Sequence, residues 1–125
     1  MGKITKVEDL IVYNKAMELF DNFIDADLPV LNNNFAAKEL ARNQIRSLDS
    51  ICANMEEGFG RKAGKELKQY FRISRGSAGE SKGRYKRLKK FLSADIIEKR
   101  LFQLLEIQLM LNSLVKKLKD EYEEA

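Results

Sequence analysis

The sequence contains no histidine, a single cysteine and a single proline among 125 residues. The absence of histidine removes the usual base of a serine or cysteine nucleophile and also the commonest metal ligand. One cysteine, Cys52, excludes an intrachain disulfide and a multi-cysteine metal site, and we interpret it as a small buried apolar residue. We therefore expect a protein without catalytic activity, metal or other cofactor.

Long apolar runs are absent as well. No stretch approaches the ~20 consecutive apolar residues that a membrane-spanning helix needs, and the N-terminal residues lack the apolar core of a signal peptide. With 44% hydrophobic residues, a chain of this length suits one domain over residues 1–125. We expect a cytoplasmic protein with no membrane partner.

The hydrophobic pattern predicts an all-α protein with helices over about 7–24, 35–57, 65–92 and 95–122. The first helix is predicted to end before Pro29, which lacks the amide that a continuing helix needs. Gly58 is predicted to end the second helix, and Asp95 is placed to cap the fourth, with Glu98 three residues later. The predicted apolar stripe of the first helix comprises Leu10, Tyr13, Met17, Phe20 and Ile24.

Four amphipathic helices joined by short loops bury their stripes most simply as an antiparallel up-down four-helix bundle. The fourth helix carries more apolar surface than one seam requires, because Phe102, Leu105, Leu109 and Leu114 lie beside its main stripe. Two interpretations stay open for this surplus. It can form an oligomer interface, or the helix can be central in its own monomer.

The third predicted helix carries two sets of residues at helical spacing. One set, called the seam, is small or apolar and consists of Leu67, Phe71, Ser74, Ala78, Ser81, Tyr85, Leu88 and Leu92. The other, called the basic row, consists of Lys65, Lys68, Arg72, Arg75, Lys82, Lys86 and Lys89. We place the basic row two residues out of phase with the seam, roughly 200° around the helix, where it meets water or an anion.

Positive charge is concentrated in this part of the chain. Residues 61–90 hold 12 of the 23 Lys and Arg residues and only two acids, Glu66 and Glu80. Such a segment attracts polyanions, of which nucleic acid is the commonest large one, although a solvated helix face is the alternative. The predicted nucleic-acid-binding residues are Arg61 and Lys62, in a loop before the helix, together with the basic row.

A set of polar residues is predicted to converge where the second helix ends and the third passes it: Asn54, Glu57, Arg61, Ser77 and Glu80. We interpret them as a hydrogen-bonded cluster that fixes the register of the bundle. A carboxylate-only metal site through Glu57 and Glu80 is a formal alternative. Gly76, inside the third helix, is predicted to let a neighbouring helix approach closely.

Several short segments in order resemble one known family. They are Gln44-Ile45-Arg46, Ser50-Ile51, Asn54, Glu57-Gly58-Phe59-Gly60-Arg61, Arg75-Gly76-Ser77 and Glu80, preceded by Glu8-Asp9-Leu10, Tyr13, Ala16 and Leu19. The chain thereby resembles, over roughly residues 7 to 120, the four-helix-bundle family encoded by intervening sequences of bacterial large-subunit ribosomal RNA genes. That family includes the accessory variability protein of diversity-generating retroelements.

The resemblance implies a bundle that assembles into a ring-like homopentamer and has no known catalytic activity. In the retroelement branch it also implies binding of nucleic acid and of a reverse transcriptase through a basic surface. Two functions therefore stay open from the sequence. One is an oligomeric nucleic-acid-binding protein that contacts phosphates of DNA or RNA without reading bases; the other is an oligomeric scaffold for protein partners.

Overall fold

The computed structural model describes residues 4–61 and 64–124, with side chains described as far as Leu118. These residues form helices and turns and contain no β-strand. In chain order they comprise a 3₁₀ turn (Val7–Asp9), α1 (Ile11–Asn22), a π-helical turn (Phe23–Asp27), α2 (Leu28–Leu31), α3 (Phe35–Arg61), α4 (Gly64–Arg87) and α5 (Ala94–Glu124). Because α1, the π turn and α2 follow one another without a break, the described residues form four long helical rods.

The first rod is longer than predicted, since it passes through Pro29 and ends at Leu31. The π turn explains how. The Leu28 N–H donates to the carbonyl of Phe23, five residues back. The backbone hydrogen bonds have therefore already left the α-helical pattern, which joins residues four apart, before the proline. Pro29 then lies in the first turn of α2, where a missing amide has little consequence. The prediction that the rod ends before Pro29 is therefore wrong.

The apolar face of α1 is also rotated from the predicted stripe. Leu10 and Tyr13 are buried as predicted, and Phe20 and Ile24 pack against the core, but Met17 is 37% exposed. The centre of the inward face is formed by Val12, Ala16 and Leu19, which continue to Phe23 at the start of the π turn and are all nearly inaccessible. Because adjacent helical positions differ by about 100°, a small error in the centre of the stripe is enough to turn Met17 outward.

The second rod, α3, begins with an asparagine cap and continues past its predicted end. The Asn34 side chain accepts a hydrogen bond from the Ala37 N–H at 3.1 Å, which satisfies one of the free amides of the first turn. Gly58 lies inside the helix and is buried. The prediction that it ends the helix is wrong. A Cβ added to Gly58 would lie 3.0 Å from both Leu67 Cδ1 and Tyr70 Cβ, so the glycine is there because α4 passes closely.

This close approach gives a stability prediction. We expect Gly58→Ala to destabilise the protein by about 1–3 kcal/mol, because the Tyr70 Cβ belongs to a helix that has to shift as a whole. Gly76→Ala is the matched control, since nothing lies within 4 Å of a Cβ added there; it should stabilise the protein by up to about 1 kcal/mol. Thermal unfolding measures both. A Gly58→Ala protein as stable as the parent would contradict the close packing.

The turn between α4 and α5 comes earlier than predicted. The helix ends at Arg87 rather than near position 92, although Leu88 and Leu92 remain buried within the turn. Ser93, not Asp95, caps α5, because its Oγ accepts the Ile96 N–H at 3.2 Å. Asp95 lies in the first turn, where its charge complements the helix dipole.

The contacts from α3 to α4 and from α4 to α5 run in opposite chain order. Gln44 Nε2 donates to the Ser81 carbonyl at 3.1 Å, whereas Ser74 Oγ donates to the Ile51 carbonyl at 2.9 Å, so rising numbers in α3 meet falling numbers in α4. The same holds between α4 and α5, where Arg75 meets Asn112 and a Cβ on Gly79 would approach Gln108. The first rod packs on α3 and α5. The chain is thus an all-helical protein consistent with a four-helix bundle.

One buried polar group joins the first rod to α4 and α5. Asp27, in the π turn, accepts two hydrogen bonds from Arg100, Nε to Oδ2 at 2.9 Å and Nη2 to Oδ1 at 3.0 Å. The Tyr85 hydroxyl donates to Asp27 Oδ2 at 2.7 Å. All three residues are at most 3% exposed. The three hydrogen bonds to the Asp27 carboxylate offset its loss of hydration, so that the two opposite charges can remain in the core.

Candidate functional site

The seam of α4 is buried against α3, as predicted. Phe71, Ser74, Ala78, Ser81 and Tyr85 are all nearly inaccessible, and Leu67 is half-buried. The serines bond across the contact: Ser81 Oγ donates to Ser47 Oγ at 2.9 Å, and Ser74 bonds to the α3 backbone. Gly76 takes no part in this contact, because it is exposed with open space around it. The prediction of close helix approach at Gly76 is therefore wrong, and the small residues of the seam supply it instead.

The basic row does not lie opposite the seam. Lys68, Arg75 and Lys82 are half-buried, and Arg75 Nη1 donates to Asn112 Oδ1 of α5 at 2.7 Å. The reason is geometric, since most members of the row follow a seam residue by one position and are therefore turned by about 100° rather than 200°. The row runs along the side of α4 that borders α5. The prediction that this face packs against nothing is wrong.

Three predicted residues in α4 are nevertheless exposed, Lys65, Arg72 and Lys86, and Lys89 is exposed in the turn that follows. Two neighbours join them that the helical spacing did not select, Arg87 and Lys90. Arg87 lies on another side of the helix and Lys90 lies beyond its end, so neither follows the phase of the row. The sequence indicated these two residues only through the high density of positive charge over residues 61–90 as a whole.

Arg61 is exposed but held by its neighbours. Its Nε donates to Glu57 Oε1 at 3.1 Å, and its Nη2 lies 3.0 Å from the same oxygen. The guanidinium carbon also lies 5.9 Å from the centre of the Tyr70 ring. The hydrogen bond to Glu57 raises the pKa of Arg61 above its ordinary value, so the residue stays charged while sharing that charge with a carboxylate. Lys62 lies outside the described residues.

The exposed cations of α4 and the following turn form no ion pair with the acids whose side chains the structure describes. Among the side chains of residues 4–61 and 65–118 the ion pairs are Lys15–Glu106, Arg61–Glu57, Arg84–Glu80 and Arg100–Asp27. None of them involves Lys65, Arg72, Lys86, Arg87, Lys89 or Lys90. This surface therefore presents net positive charge to the solvent, and charge of one sign attracts polyanions.

The residues of the predicted polar cluster form separate groups. Asn54 Nδ2 donates to Ser50 Oγ at 2.9 Å, and Ser50 in turn shares a 2.8 Å hydrogen bond with Ser77. Glu57 pairs with Arg61 within α3, and Glu80 pairs with Arg84 within α4 at 3.6 Å. Asn54 and Ser77 are thus linked through Ser50 across the two helices, whereas each glutamate pairs within its own helix.

Three of the four surplus apolar residues of α5 lie on the outside of the monomer, whereas the fourth, Leu114, is half-buried and packs against the core. Phe102 is 68% exposed, Leu109 58% and Leu105 43%, and they occupy one face at spacings of three and four. We call these three residues the α5 patch. A position central in the monomer does not account for them, because their own chain leaves them uncovered.

Neither a metal centre nor a membrane segment is found in the described ranges. No group of three or more metal-ligating side chains occurs among those residues, and no helix there combines the length and apolar character that crossing a bilayer requires. Cys52 is buried at 4% exposure, as predicted. Burial raises the pKa of its thiol to about 12, which leaves it an unreactive neutral group near neutral pH.

Comparison with known proteins supplies the family. No curated protein and no solved structure matches the chain. The family model of the 23S rRNA-intervening sequence protein matches residues 8–113. This match extends from the 3₁₀ turn before α1 through most of α5 and includes all the exposed cations of α4. The chain therefore belongs to the 23S rRNA-intervening sequence protein family.

Proposed function

We propose that the protein is a non-catalytic, cytoplasmic nucleic-acid-binding protein that contacts phosphates through the exposed cations of α4 and the following turn. The observation that carries the proposal is the set of exposed cations outside any ion pair of the described residues: Lys65, Arg72, Lys86, Arg87, Lys89 and Lys90. The family name refers to an intervening sequence of 23S rRNA and states no ligand, so both DNA and RNA are candidates.

The geometry of this surface suits a phosphate backbone better than bases. Lys65 and Lys86 are separated along the helix by roughly 30 Å, at 1.5 Å per residue. Successive phosphates of one strand are about 3.4 Å apart along a duplex, so this length spans several of them. Contacts between phosphates and lysine or arginine side chains position a nucleic acid without reading its sequence. Binding should therefore depend on salt and little on sequence.

A charge-neutralised variant tests this function. We expect Arg72→Gln, Lys86→Gln and Lys89→Gln together to weaken binding at ~0.1 M salt by about two to three orders of magnitude. The log–log salt slope should fall by about 2.7 on duplex DNA, since each phosphate contact contributes roughly 0.9. Fluorescence anisotropy with unrelated DNA and RNA duplexes, measured over a salt series, gives both quantities and the preference between the two nucleic acids.

The matched control changes the same amount of charge on α3. Lys38, Arg42 and Arg46 are exposed there, and replacing all three by glutamine should weaken binding much less. Circular dichroism should show equal helical content in both variants. Equal losses of affinity in the two variants would mean that net charge alone attracts the nucleic acid. An α4 variant that binds as well as the parent would favour the scaffold function.

Self-association is the second part of the proposal, and the α5 patch supports it. On the basis of the family resemblance, we further propose a homopentamer of antiparallel up-down bundles, with a reverse transcriptase as a partner. We expect the parent to exceed 14.4 kDa, the mass of one chain, in light scattering at micromolar concentration. Phe102→Ser with Leu109→Ser should lower the mass toward that value.

Ile11 and Val30 provide the control for self-association, because they are 65% and 54% exposed outside the patch. Changing both to serine should leave the mass of the assembly unchanged. A parent protein that stays at 14.4 kDa would contradict the assembly. It would not affect the phosphate-binding proposal, which concerns a surface within one chain.

A further inference from the structure

The exposed cations at the end of α4 surround an open cleft of about 600 Å³. Its lining residues are Leu40 of α3, Gly83, Lys86 and Arg87 of α4, and Lys89 and Lys90 of the following turn. Volumes of roughly 300–1,000 Å³ are usual for small-molecule sites. The cleft therefore combines room for a nucleotide-sized group with four cations and no acidic lining residue.

The turn that carries two of these cations is firmly anchored. Leu88 and Leu92 are buried in the core, and the Leu92 N–H donates to the Leu88 carbonyl at 3.0 Å. Lys89 and Lys90 lie between the two anchors and are exposed. Their backbone positions are thus fixed by buried neighbours on both sides, and both residues line the cleft.

Gly83 and Arg87 shape one wall. The Arg87 Nη1 and Nη2 atoms lie 3.7 and 3.9 Å from where a Cβ of Gly83 would be, so the guanidinium rests over the glycine backbone. A planar guanidinium in this position can stack on a base or hold a phosphate with two donors. Leu40 adds an apolar contact. Cations at a helix C-terminus are favourable in themselves, but that effect explains neither the concave shape nor the apolar lining.

Four cations around one cleft fit a ligand of more than one negative charge. A terminal phosphate carries about −1.5 to −2 at pH 7, whereas a backbone phosphodiester carries −1 and is attached on both sides. A terminal phosphate also projects from its strand, so it can be surrounded. Lys86 and Lys89 belong both to the cleft and to the basic row, and Arg72 lies about 21 Å from Lys86 along α4.

We propose that this cleft binds the phosphorylated end of a nucleic-acid strand, with the following phosphates running along α4 toward Arg72. The proposal rests on the proposed function, because the strand is held by the same surface. The ligand chemistry is a phosphate monoester on a nucleotide, which could also come from a free mononucleotide. The experiment separates these two sources.

Anisotropy with single strands that differ only at their ends tests the cleft. We expect the parent to bind a strand with a 5′- or 3′-terminal phosphate at least fivefold more tightly than the hydroxyl-ended strand. A hydroxyl-ended strand about two nucleotides longer has nearly the same charge and controls for charge alone; the phosphorylated strand should bind more tightly than it too. A free nucleoside monophosphate should compete only at far higher concentration than the phosphorylated strand.

Two variants locate the effect. Arg87→Gln with Lys90→Gln removes two cations of the same binding surface, so it should weaken the hydroxyl-ended strand about as much as Lys65→Gln with Arg72→Gln does, but it should also abolish the preference for the phosphorylated end. Lys65→Gln with Arg72→Gln should weaken both strands equally and keep the preference.

Each other outcome has a distinct meaning. Equal binding of phosphorylated and charge-matched strands would overturn the cleft proposal and leave the proposed function standing. A protein that binds duplexes but no single strand would also overturn only the cleft proposal, whereas one that binds neither would overturn the proposed function. If the Arg87 and Lys90 variant still preferred the phosphorylated end, the terminal phosphate would bind outside the cleft, and the cleft proposal would be overturned. If a mononucleotide bound as tightly as the phosphorylated strand, the proposal that the cleft recognises the end of a strand would be overturned.

Discussion

Replacing Arg100 by leucine is expected to destabilise the protein by about 3–5 kcal/mol, the usual consequence of leaving a buried charge without its partner. Arg100 donates two hydrogen bonds to Asp27, at 2.9 and 3.0 Å, and the two side chains are 4% and 1% exposed. In the variant, the Asp27 carboxylate would keep only the hydroxyl of Tyr85. Urea unfolding followed by circular dichroism measures the loss.

Two further variants define the cause. Lys99→Leu changes the exposed neighbour of Arg100 and should alter the free energy of unfolding by no more than about 0.5 kcal/mol. Asp27→Leu combined with Arg100→Leu removes both charges and should be more stable than Arg100→Leu alone, because no buried charge then lacks a partner. If Arg100→Leu unfolds at the same urea concentration as Lys99→Leu, the pair has no net effect on stability.

The same pair shows why part of the fold could not be predicted from the sequence. Helical periodicity located α3, α4 and α5 because it is a local property, repeated over many turns. Asp27, within the π turn, bonds to Arg100, which is 73 positions away in the chain, and a local pattern does not predict such a contact. Gly58 is similar, since its place inside α3 reflects the passage of α4 rather than its own preference for a helix end. Local rules for proline and glycine failed where tertiary contacts determined the backbone.

The sequence predicted which segment carries the cations but not which of these cations face the solvent. The concentration of cations in residues 61–90 is visible in the sequence, and the exposed members of the basic row lie in that segment. Which of them face solvent depends on α5, because Asn112 holds Arg75 at the helix contact. Arg87 and Lys90 enter the site through the end of α4 and the turn after it. Helical periodicity predicts neither which residues a neighbouring helix covers nor where residues beyond the end of the helix lie.

The free energy of unfolding is expected to fall as the pH rises above about 9. Burial raises the pKa of Cys52 from its ordinary 9.0 to about 12. Below pH 9 the thiol is neutral in both the folded and the unfolded chain and contributes nothing. Above pH 9 it ionises only in the unfolded chain, which favours unfolding until the folded thiol also ionises near pH 12. The full difference corresponds to about 4 kcal/mol.

Two tyrosines add to this loss at higher pH. Burial and a 2.7 Å hydrogen bond to Glu56 raise the pKa of Tyr13 above its ordinary 10.0. Burial and the neighbouring Asp27 do the same for the pKa of Tyr85. Both phenols therefore ionise first in the unfolded chain, so their effect begins near pH 10 and has the same sign as that of Cys52.

Urea midpoints measured between pH 7.5 and 11 test the prediction, and two variants separate the contributions. Cys52→Ala should lose about 1 kcal/mol at pH 7.5 through the small cavity it leaves, and its decline between pH 9 and 10 should be shallower than that of the parent. Tyr13→Phe should be less stable at pH 7.5 because the bond to Glu56 is gone, and should decline less steeply above pH 10. Identical slopes in the parent and both variants would mean that neither buried group controls the alkaline unfolding.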